Sequence, residues 1–123
     1  MSTFKWFSFF LLLVCISCSK PLPTLEGMDL HRWKEDKNAC NNHRVSMREA
    51  IDGQKNKLLS LDELQVIALL GNPDQNELYS HSQKSFYYFL EPAPGCGVAT
   101  DTVSEKLVIR FNATGLAKEV AIE

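Results

Sequence analysis

An apolar run near the amino terminus most constrains what this chain can fold into. Residues 6–16 (WFSFFLLLVCI) are interrupted only by Ser8, and Lys5 places one positive charge before them. This run of eleven residues is shorter than the about 20 that a membrane-spanning helix needs, and the order of parts is typical of a secretory signal. The sequence therefore predicts that residues 1–17 are a signal peptide and take no part in the folded domain.

The residues that follow the run predict a site of lipid attachment. Ile16, Ser17 and Cys18 resemble a lipobox, the cleavage and acylation signal of bacterial lipoproteins. Cys18 is therefore the predicted lipidation site, since several acyl chains on one residue give stable anchoring. An ordinary signal peptide, an uncleaved anchor and modification of Cys15 are the alternatives, because the pattern prefers Leu or Val where Cys15 stands.

Residues 18–28 are predicted to be the lipidated cysteine and an extended spacer, because Pro21 and Pro23 exclude helix. Neither an Asp directly after Cys18 nor an acidic run is present. In lipoprotein families those features mark inner-membrane retention and surface display, respectively. The expected location is the periplasmic side of the outer membrane, with the inner membrane and the cell surface as alternatives.

The formal net charge of −2 argues against two classes of partner. Nucleic-acid binding needs basic residues that neutralise phosphate, and electrostatic membrane binding needs a polybasic cluster. The chain has 13 Lys and Arg against 15 Asp and Glu, with no basic stretch. We therefore expect no nucleic-acid partner, and membrane attachment through the N-terminal lipid.

Cys40 and Cys96 are the cysteines that remain once the signal peptide and Cys18 are set aside. An exported compartment is oxidising, so a disulfide between them is the predicted pairing. Two buried free thiols are the first alternative. A metal site is the second, but no histidine stands at a ligand-like spacing from either cysteine, and we expect no metal or cofactor.

Residues 29–57 have helical character, because apolar residues recur at steps of three, four and seven. Asparagines and a glycine interrupt the pattern, which predicts two short helices near residues 29–39 and 44–54. The predicted shared apolar face consists of Leu30, Trp33, Cys40, Met47, Ile51 and Leu58.

Residues 61–70 carry the clearest local helix signal. Ser60 and Glu63 form a predicted capping box, Gly71 is the expected C-cap, and Pro73 prevents continuation. The predicted staple is Leu59 with Leu64, and the predicted buried side is Leu64, Ile67, Ala68 and Leu70.

Three later segments, residues 85–90, 106–111 and 116–122, alternate in the manner of strands. Helices followed by strands predict an α+β fold for residues 29–123 as a single domain, with two to three N-terminal helices packed on one face of a three-stranded antiparallel sheet. The residues predicted to face the helices are Phe86, Tyr88, Leu90, Leu107, Ile109, Phe111, Leu116, Val120 and Ile122.

The second half of the chain resembles the BamE (SmpA/OmlA) type of small outer-membrane lipoprotein domain. A capped helix ends in LLGNPD at residues 69–74, an aromatic strand follows, and a later strand ends in IRFN at residues 109–112 before Gly115. The resemblance implies two helices on a three-stranded sheet, an architecture shared with β-lactamase-inhibitor-like domains. It also implies binding of other envelope proteins, with β-barrel assembly as the best-known role.

On this resemblance the domain divides into a helical cap, residues 29–57, and a BamE-like core, residues 58–123. The cap is longer than the segment that usually precedes a BamE-like domain. Its pattern of Trp33, Cys40 and Arg44 resembles a group of small lipoproteins from Bacteroidota.

No residue set in the sequence supports catalysis. Ser80, Ser82 and Ser85 lie near His81, but a catalytic triad is assembled in space and needs an orienting acid. We therefore expect no enzyme activity, no catalytic residue and no small-molecule substrate.

The predicted partner-binding residues are Tyr79, Tyr87, Phe89 and Arg110, with Lys106 beside them. Tyr87 and Phe89 alternate with the residues that face the helices, and an exposed aromatic patch often marks an interface. The alternative is that the helical cap covers these rings. The expected function is an accessory lipoprotein that binds an envelope protein; the alternative is an inhibitor or immunity lipoprotein that blocks a hydrolase.

Overall fold

The computed structural model describes residues 21–79, 83–97 and 103–123. The signal peptide of residues 1–17 and the lipidation site Cys18 lie outside the described residues. The helices are α1 (Leu30–Glu35), α2 (Arg48–Gln54) and α3 (Glu63–Leu70), and short 3₁₀ helices are found at Lys37–Ala39, Val45–Met47, Lys55–Leu58 and Pro94–Cys96. The strands are β1 (Gln75–Tyr79), β2 (Gln83–Phe89), β3 (Lys106–Phe111) and β4 (Ala117–Ile122).

The four strands form one antiparallel sheet in the order β1-β2-β3-β4. The predicted α+β class is confirmed, but the predicted number of three strands is wrong. The additional strand is β1, whose sequence QNELY lacks the apolar alternation that identifies the others. It pairs with β2 from Gln75–Tyr87 to Tyr79–Gln83, so backbone pairing rather than its own sequence pattern makes it a strand.

The sheet has two ends that differ in how they are held. We call the end where Tyr79 pairs with Gln83 and where the β3–β4 turn of residues 112–116 lies the hairpin end. We call the opposite end, where Phe89 pairs with Lys106, the disulfide end, after the cross-link described below. Helix α3 begins at the hairpin end and leads toward the disulfide end.

One core cluster joins the helices to alternate positions of β2 and β3, as the period of two predicts. In the cap, four of the six residues predicted to share an apolar face are buried in this cluster, Leu30 packs against it, and Cys40 is exposed. Members of the cluster include Trp33, Met47, Ile51, Leu58, Val66, Leu69, Leu70, Phe86, Tyr88, Leu90, Leu107, Ile109, Phe111 and Val120.

Helix α3 begins two residues later than predicted, and its buried side differs. Asp62, not Ser60, is the N-cap: its carboxylate accepts from the Gln65 N–H at 2.8 Å, and the Gln65 side chain accepts from the Asp62 N–H at 2.9 Å. Leu64, predicted to be buried, is 78% exposed. Because α3 is apolar on most sides, its sequence pattern did not fix which face meets the core, which is Val66, Leu69 and Leu70.

The start of β4 also differs from the prediction. Leu116 was expected to face the core but is 40% exposed, and Ala117 is buried in the core cluster instead. The pairing of β3 and β4 shifts between Arg110 and Phe111, so that Phe111 lies opposite Ala117. A shift of one residue exchanges the faces of a strand, which explains the replacement.

Candidate binding surface

The sheet face opposite the core cluster carries two of the predicted partner-binding rings. Tyr87 and Phe89 alternate with core residues on β2, as expected, but each is only 5% exposed. Their expected exposure is therefore wrong. The side chain of Tyr79 lies outside the described residues, although its backbone belongs to β1.

Tyr87 is buried under charged side chains of the neighbouring strands. Its hydroxyl donates to the Glu77 carboxylate at 2.6 Å, and the Lys106 Nζ lies 4.4 Å from the centre of its ring. Val108, opposite Tyr87 on β3, is fully buried. Long side chains can cover apolar surface with their methylene groups while their charges remain in water, which is why an aromatic residue on an open sheet face is buried here.

Among the predicted partner-binding side chains that the structure describes, that of Arg110 is the most accessible, with 27% exposure. Its guanidinium forms ion pairs with Glu119 at 3.3 Å and with Glu123 at 2.8 Å. We call the surface made by Glu77, Lys106, Arg110, Glu119 and Glu123 the charged face. It presents donors and acceptors side by side over Tyr87 and Val108.

Phe89 is buried by the cap and by the connection after β2. It forms a second apolar cluster with Ala39 and Ala93, against which Cys96 packs. Ala39 belongs to the 3₁₀ helix Lys37–Ala39 of the cap. Coverage of the rings by the cap was the alternative that the sequence left open, and for Phe89 the structure has this arrangement.

Cys40 and Cys96 lie at disulfide distance, with 5.3 Å between their Cα atoms, and they join this part of the cap to the Pro94–Cys96 turn. The cross-linked residues are 56 positions apart in sequence. The Cys96 Sγ also lies 3.4 Å from the carbonyl oxygen of Asn38. The cross-link therefore holds the segment that covers Phe89.

A buried ion pair lies beside the disulfide. The Arg44 Nη1 is 2.5 Å from the Asp74 Oδ2, and the two side chains are 1% and 0% exposed. Arg44 also donates to the carbonyl oxygens of Trp33 at 3.0 Å and Phe89 at 3.2 Å, and its guanidinium lies 4.8 Å from the centre of the Trp33 ring. The contacts with Asp74 and Phe89 connect the cap to the loop before β1 and to the sheet, and those with Trp33 join two parts of the cap.

The acidic side chains around Arg44 complete a buried polar cluster. Asp74 accepts backbone N–H bonds from Asn38 at 3.0 Å and from Phe89 at 2.9 Å. Asp36 accepts from the backbone N–H of Asn41 at 2.7 Å and of Arg44 at 3.0 Å. A buried ion pair offsets its desolvation only when further hydrogen bonds satisfy both partners, as they do here. The cluster can therefore fix the cap on the sheet, but it offers no accessible group to a ligand.

Sequence reasoning missed this cluster. Asp74, which follows Pro73, has a sufficient explanation as a turn residue, and nothing in the local sequence connects it to Arg44. The sequence signal that could have revealed the cluster is the pattern of Trp33, Cys40 and Arg44. Arg44 binds the ring and the carbonyl oxygen of Trp33, and Cys40 forms the disulfide at the same end of the sheet.

Tyr88 lies under this cluster on the core side. Its hydroxyl donates to the Gly71 carbonyl oxygen at 2.8 Å, and its ring packs 6.2 Å from that of Trp33. Burial raises the pKa of Tyr88 above its ordinary value, and the negative charge of Asp74 raises it further. The neutral phenol is therefore favoured in the folded state, and ionisation at high pH would oppose folding.

The described part of the chain gives little support for the other kinds of site considered above. Within residues 21–79, 83–97 and 103–123, no group of three or more His, Cys, Asp or Glu side chains is arranged to hold a metal ion. The same residues include no helix with the length and apolarity to cross a membrane. Ser80, His81 and Ser82 lie outside them, and Ser85 is buried opposite Arg110.

Comparisons with protein-family models, curated proteins and solved structures give no match to this chain. The resemblance to the BamE type of domain therefore rests on the sequence features alone and stays a prediction.

Proposed function

We propose that this chain is an exported lipoprotein, anchored through acylated Cys18 on the periplasmic side of the outer membrane, that binds an envelope protein and has no catalytic role. The observation that carries the proposal is the pairing of Cys40 with Cys96 at disulfide distance. Disulfides persist in exported, oxidising compartments and are rare in the cytosol. This agrees with the secretory signal and the lipobox-like residues at positions 16–18.

The proposed architecture is a BamE-like domain in which the helices cover one face of the sheet and leave for binding the part of the other face that lies beyond the covered Phe89. The shared core cluster supports this, because Trp33, Ile51 and Leu70 of the three helices join alternate residues of β2 and β3. The cap would then act as a brace, held by the disulfide and the Arg44–Asp74 pair.

The charged face is the proposed partner-binding surface. Arg110 and Lys106 offer donors, and the Glu119 carboxylate offers acceptors, so the surface suits a polar partner with complementary charges. Tyr87 of β2 lies beneath this surface, where its hydroxyl binds Glu77 and the Lys106 Nζ lies over its ring. Arg110 is the residue to test, because guanidinium groups pair with carboxylates in a defined planar geometry.

The experiment places a photoreactive amino acid at Glu119 in living cells and follows the crosslinked product. Arg110→Glu should reduce that product by about tenfold, which corresponds to about 1.4 kcal/mol. Arg32→Glu is the matched control, because Arg32 is an exposed arginine paired with Asp29 away from the charged face. Equal losses in both variants, or no loss in either, would contradict the charged face as the binding surface.

The anchor is tested separately by measuring the intact mass of the protein from the membrane fraction. We expect acylated Cys18 at the amino terminus. A soluble protein with an unmodified amino terminus would overturn the lipoprotein proposal. If the captured partner is a hydrolase whose activity falls on binding, the inhibitor interpretation replaces the accessory role.

A further inference from the structure

Four of the exposed leucines of the described chain lie at one end of the domain. Leu64 is in the first turn of α3, and Leu116 is in the β3–β4 turn, where it forms a bridge with Asp62. Leu78 pairs with Lys84 next to the end of β1. The exposed fractions are 39% for Leu59, 78% for Leu64, 70% for Leu78 and 40% for Leu116.

The segment that precedes the domain joins it at the same end. Leu25 is buried in the core cluster, and Lys57 donates from Nζ to the Thr24 carbonyl oxygen at 2.9 Å. Glu26 and Gln54 exchange two hydrogen bonds, of 2.7 and 2.6 Å. Residues 24–26, part of the predicted spacer, are therefore fixed against the end of α2 and the 3₁₀ helix that follows it.

The path of the chain places this attachment point at the hairpin end. Arg48, at the start of α2, forms an ion pair with Glu105 at the disulfide end. The chain then passes through Lys57 to Ser60, whose N–H donates to the Ala117 carbonyl oxygen at the hairpin end. Leu22, which precedes the attachment point, is 42% exposed.

The length of the predicted tether keeps this end close to the membrane. Six peptide units separate Cys18 from Thr24, and at full extension they reach about 20 Å. A small domain is about 30 Å across, so the tether is shorter than the domain it carries. The hairpin end therefore stays within reach of the bilayer to which Cys18 is anchored.

We propose that the hairpin end is a lipid-contacting surface, in which Leu59, Leu64 and Leu116 enter the interfacial region of the bilayer. The proposal rests on the proposed acylation of Cys18. A surface of apolar side chains that enters the interface gains from leaving water, and lysine side chains can extend their charges to the headgroups. At the hairpin end, the Nζ of Lys57 binds the Thr24 carbonyl oxygen and that of Lys84 pairs with Glu63, so the leucines rather than these lysines carry the proposed contact.

Tethering makes a modest contact sufficient. A short linker raises the effective concentration of the domain at the membrane to about the millimolar range. Weak insertion of a few leucines then orients the domain, although the same leucines would not hold a free domain on a membrane. The disulfide end would point away from the bilayer, toward the periplasm.

The experiment measures which end of the lipidated full-length protein meets lipid. Leu116→Cys and Val45→Cys are matched variants, because the native side chains are 40% and 47% exposed and Val45 adjoins Arg44 at the disulfide end. Each is labelled with a small fluorophore without reductant and reconstituted into phosphatidylethanolamine vesicles that contain phosphatidylglycerol. Some of the lipids carry a nitroxide on the acyl chain.

We expect strong quenching of the label at position 116 and little quenching at position 45. Leu64→Glu should weaken quenching at position 116, whereas Val45→Glu should leave it unchanged, with near-ultraviolet circular dichroism as the check on folding. Equal quenching at both ends, or none at position 116, overturns the proposal. If a protein covers the leucines instead, the label at position 116 stays unquenched in vesicles that hold no other protein.

Flotation of the same vesicles separates this proposal from the proposed function. Protein that floats with the vesicles but shows no quenching at position 116 refutes the lipid-contacting surface and leaves the anchor intact. Protein that does not float refutes the anchor at Cys18, and the lipid-contacting surface with it.

Discussion

The disulfide end and the hairpin end of the sheet are held by different kinds of interaction. At the disulfide end, a covalent cross-link and the buried Arg44–Asp74 pair hold the cap. At the hairpin end, the Asp62 N-cap and the Lys84–Glu63 ion pair, with side chains 41% and 31% exposed, hold α3 near the β3–β4 turn. The interactions whose loss should lower the free energy of unfolding most are therefore concentrated at the end opposite the exposed leucines.

The reason lies in the backbone of the cap. Asn38, Ala39 and Asn42 all have positive φ, so residues 37–42 are irregular and do not form the hydrogen bonds of a continuous helix. Buried backbone groups must still be satisfied, and the carboxylates of Asp36 and Asp74 accept several of them. At the hairpin end α3 satisfies most of its own backbone, and a single side-chain cap is sufficient.

The largest effect should come from breaking the buried ion pair. Asp74→Ala should lower the free energy of unfolding by about 4 to 5 kcal/mol, because it leaves the Arg44 guanidinium buried without its partner. Urea unfolding of the mature protein measures this loss. Glu63→Ala, which removes the half-exposed pair at the hairpin end, is the control and should cost less than about 1 kcal/mol. Similar losses at the two ends would refute the contrast between them.

Removal of the disulfide should follow in size. The variant with Cys40→Ser and Cys96→Ser should lose about 4 kcal/mol, because the unfolded chain regains the entropy of a long loop. Reduction of the disulfide in the native protein should lower the free energy of unfolding by the same amount. Hydrogen exchange should show that amides near Ala39 lose protection while those of α3 keep theirs; equal loss in both regions would mean that the disulfide end is not a separate unit.

Loss of the N-cap at the hairpin end should be smaller. Asp62→Ala should cost about 1 kcal/mol, since one backbone N–H of α3 loses its acceptor. Asp62→Asn can still accept that bond and should cost only a fraction of this amount. Urea unfolding of both variants tests the assignment, and if Ser60→Ala instead had the larger effect, the helix would begin where the sequence pattern predicted.

The smallest effect should be at the exposed leucines. Leu64→Gln should change the free energy of unfolding by less than about 0.5 kcal/mol, because the side chain makes little contact in the folded protein. Leu69→Ala, on the buried side of the same helix, should cost about 2 to 5 kcal/mol. A large loss from Leu64→Gln would show that this residue packs in the core, and the hairpin end would lose its distinguishing feature.

Local pattern predicted the strands well where apolar residues alternate. The bounds of β3 match the predicted residues 106–111, and the alternation of Phe86 and Tyr88 identified the core side of β2. It failed for β1, whose polar sequence becomes a strand only through pairing with β2. It also failed to identify the buried face of α3, because apolar residues occur on nearly every side of this helix.

The sequence predicted the candidate binding surface only in part. The sequence identified the strand that carries Tyr87 and placed Arg110 on the same sheet face, and both assignments hold. It did not indicate that Lys106 and Glu77 would cover the Tyr87 ring, since cross-strand neighbours depend on register. Nor did it connect Asp74 with Arg44, which lie 30 positions apart.

By itself, the sequence determined the helical segments, the extended segments other than β1, and the side of most strands that carries the core, because periodicity is a local property of the chain. Only the tertiary structure decided what covers each ring and each charge. Phe89 is buried because Ala39 reaches it from far along the chain, and Asp74 is buried with Arg44 for the same reason. Burial depends on every element that packs nearby, and that information is not contained in any one segment.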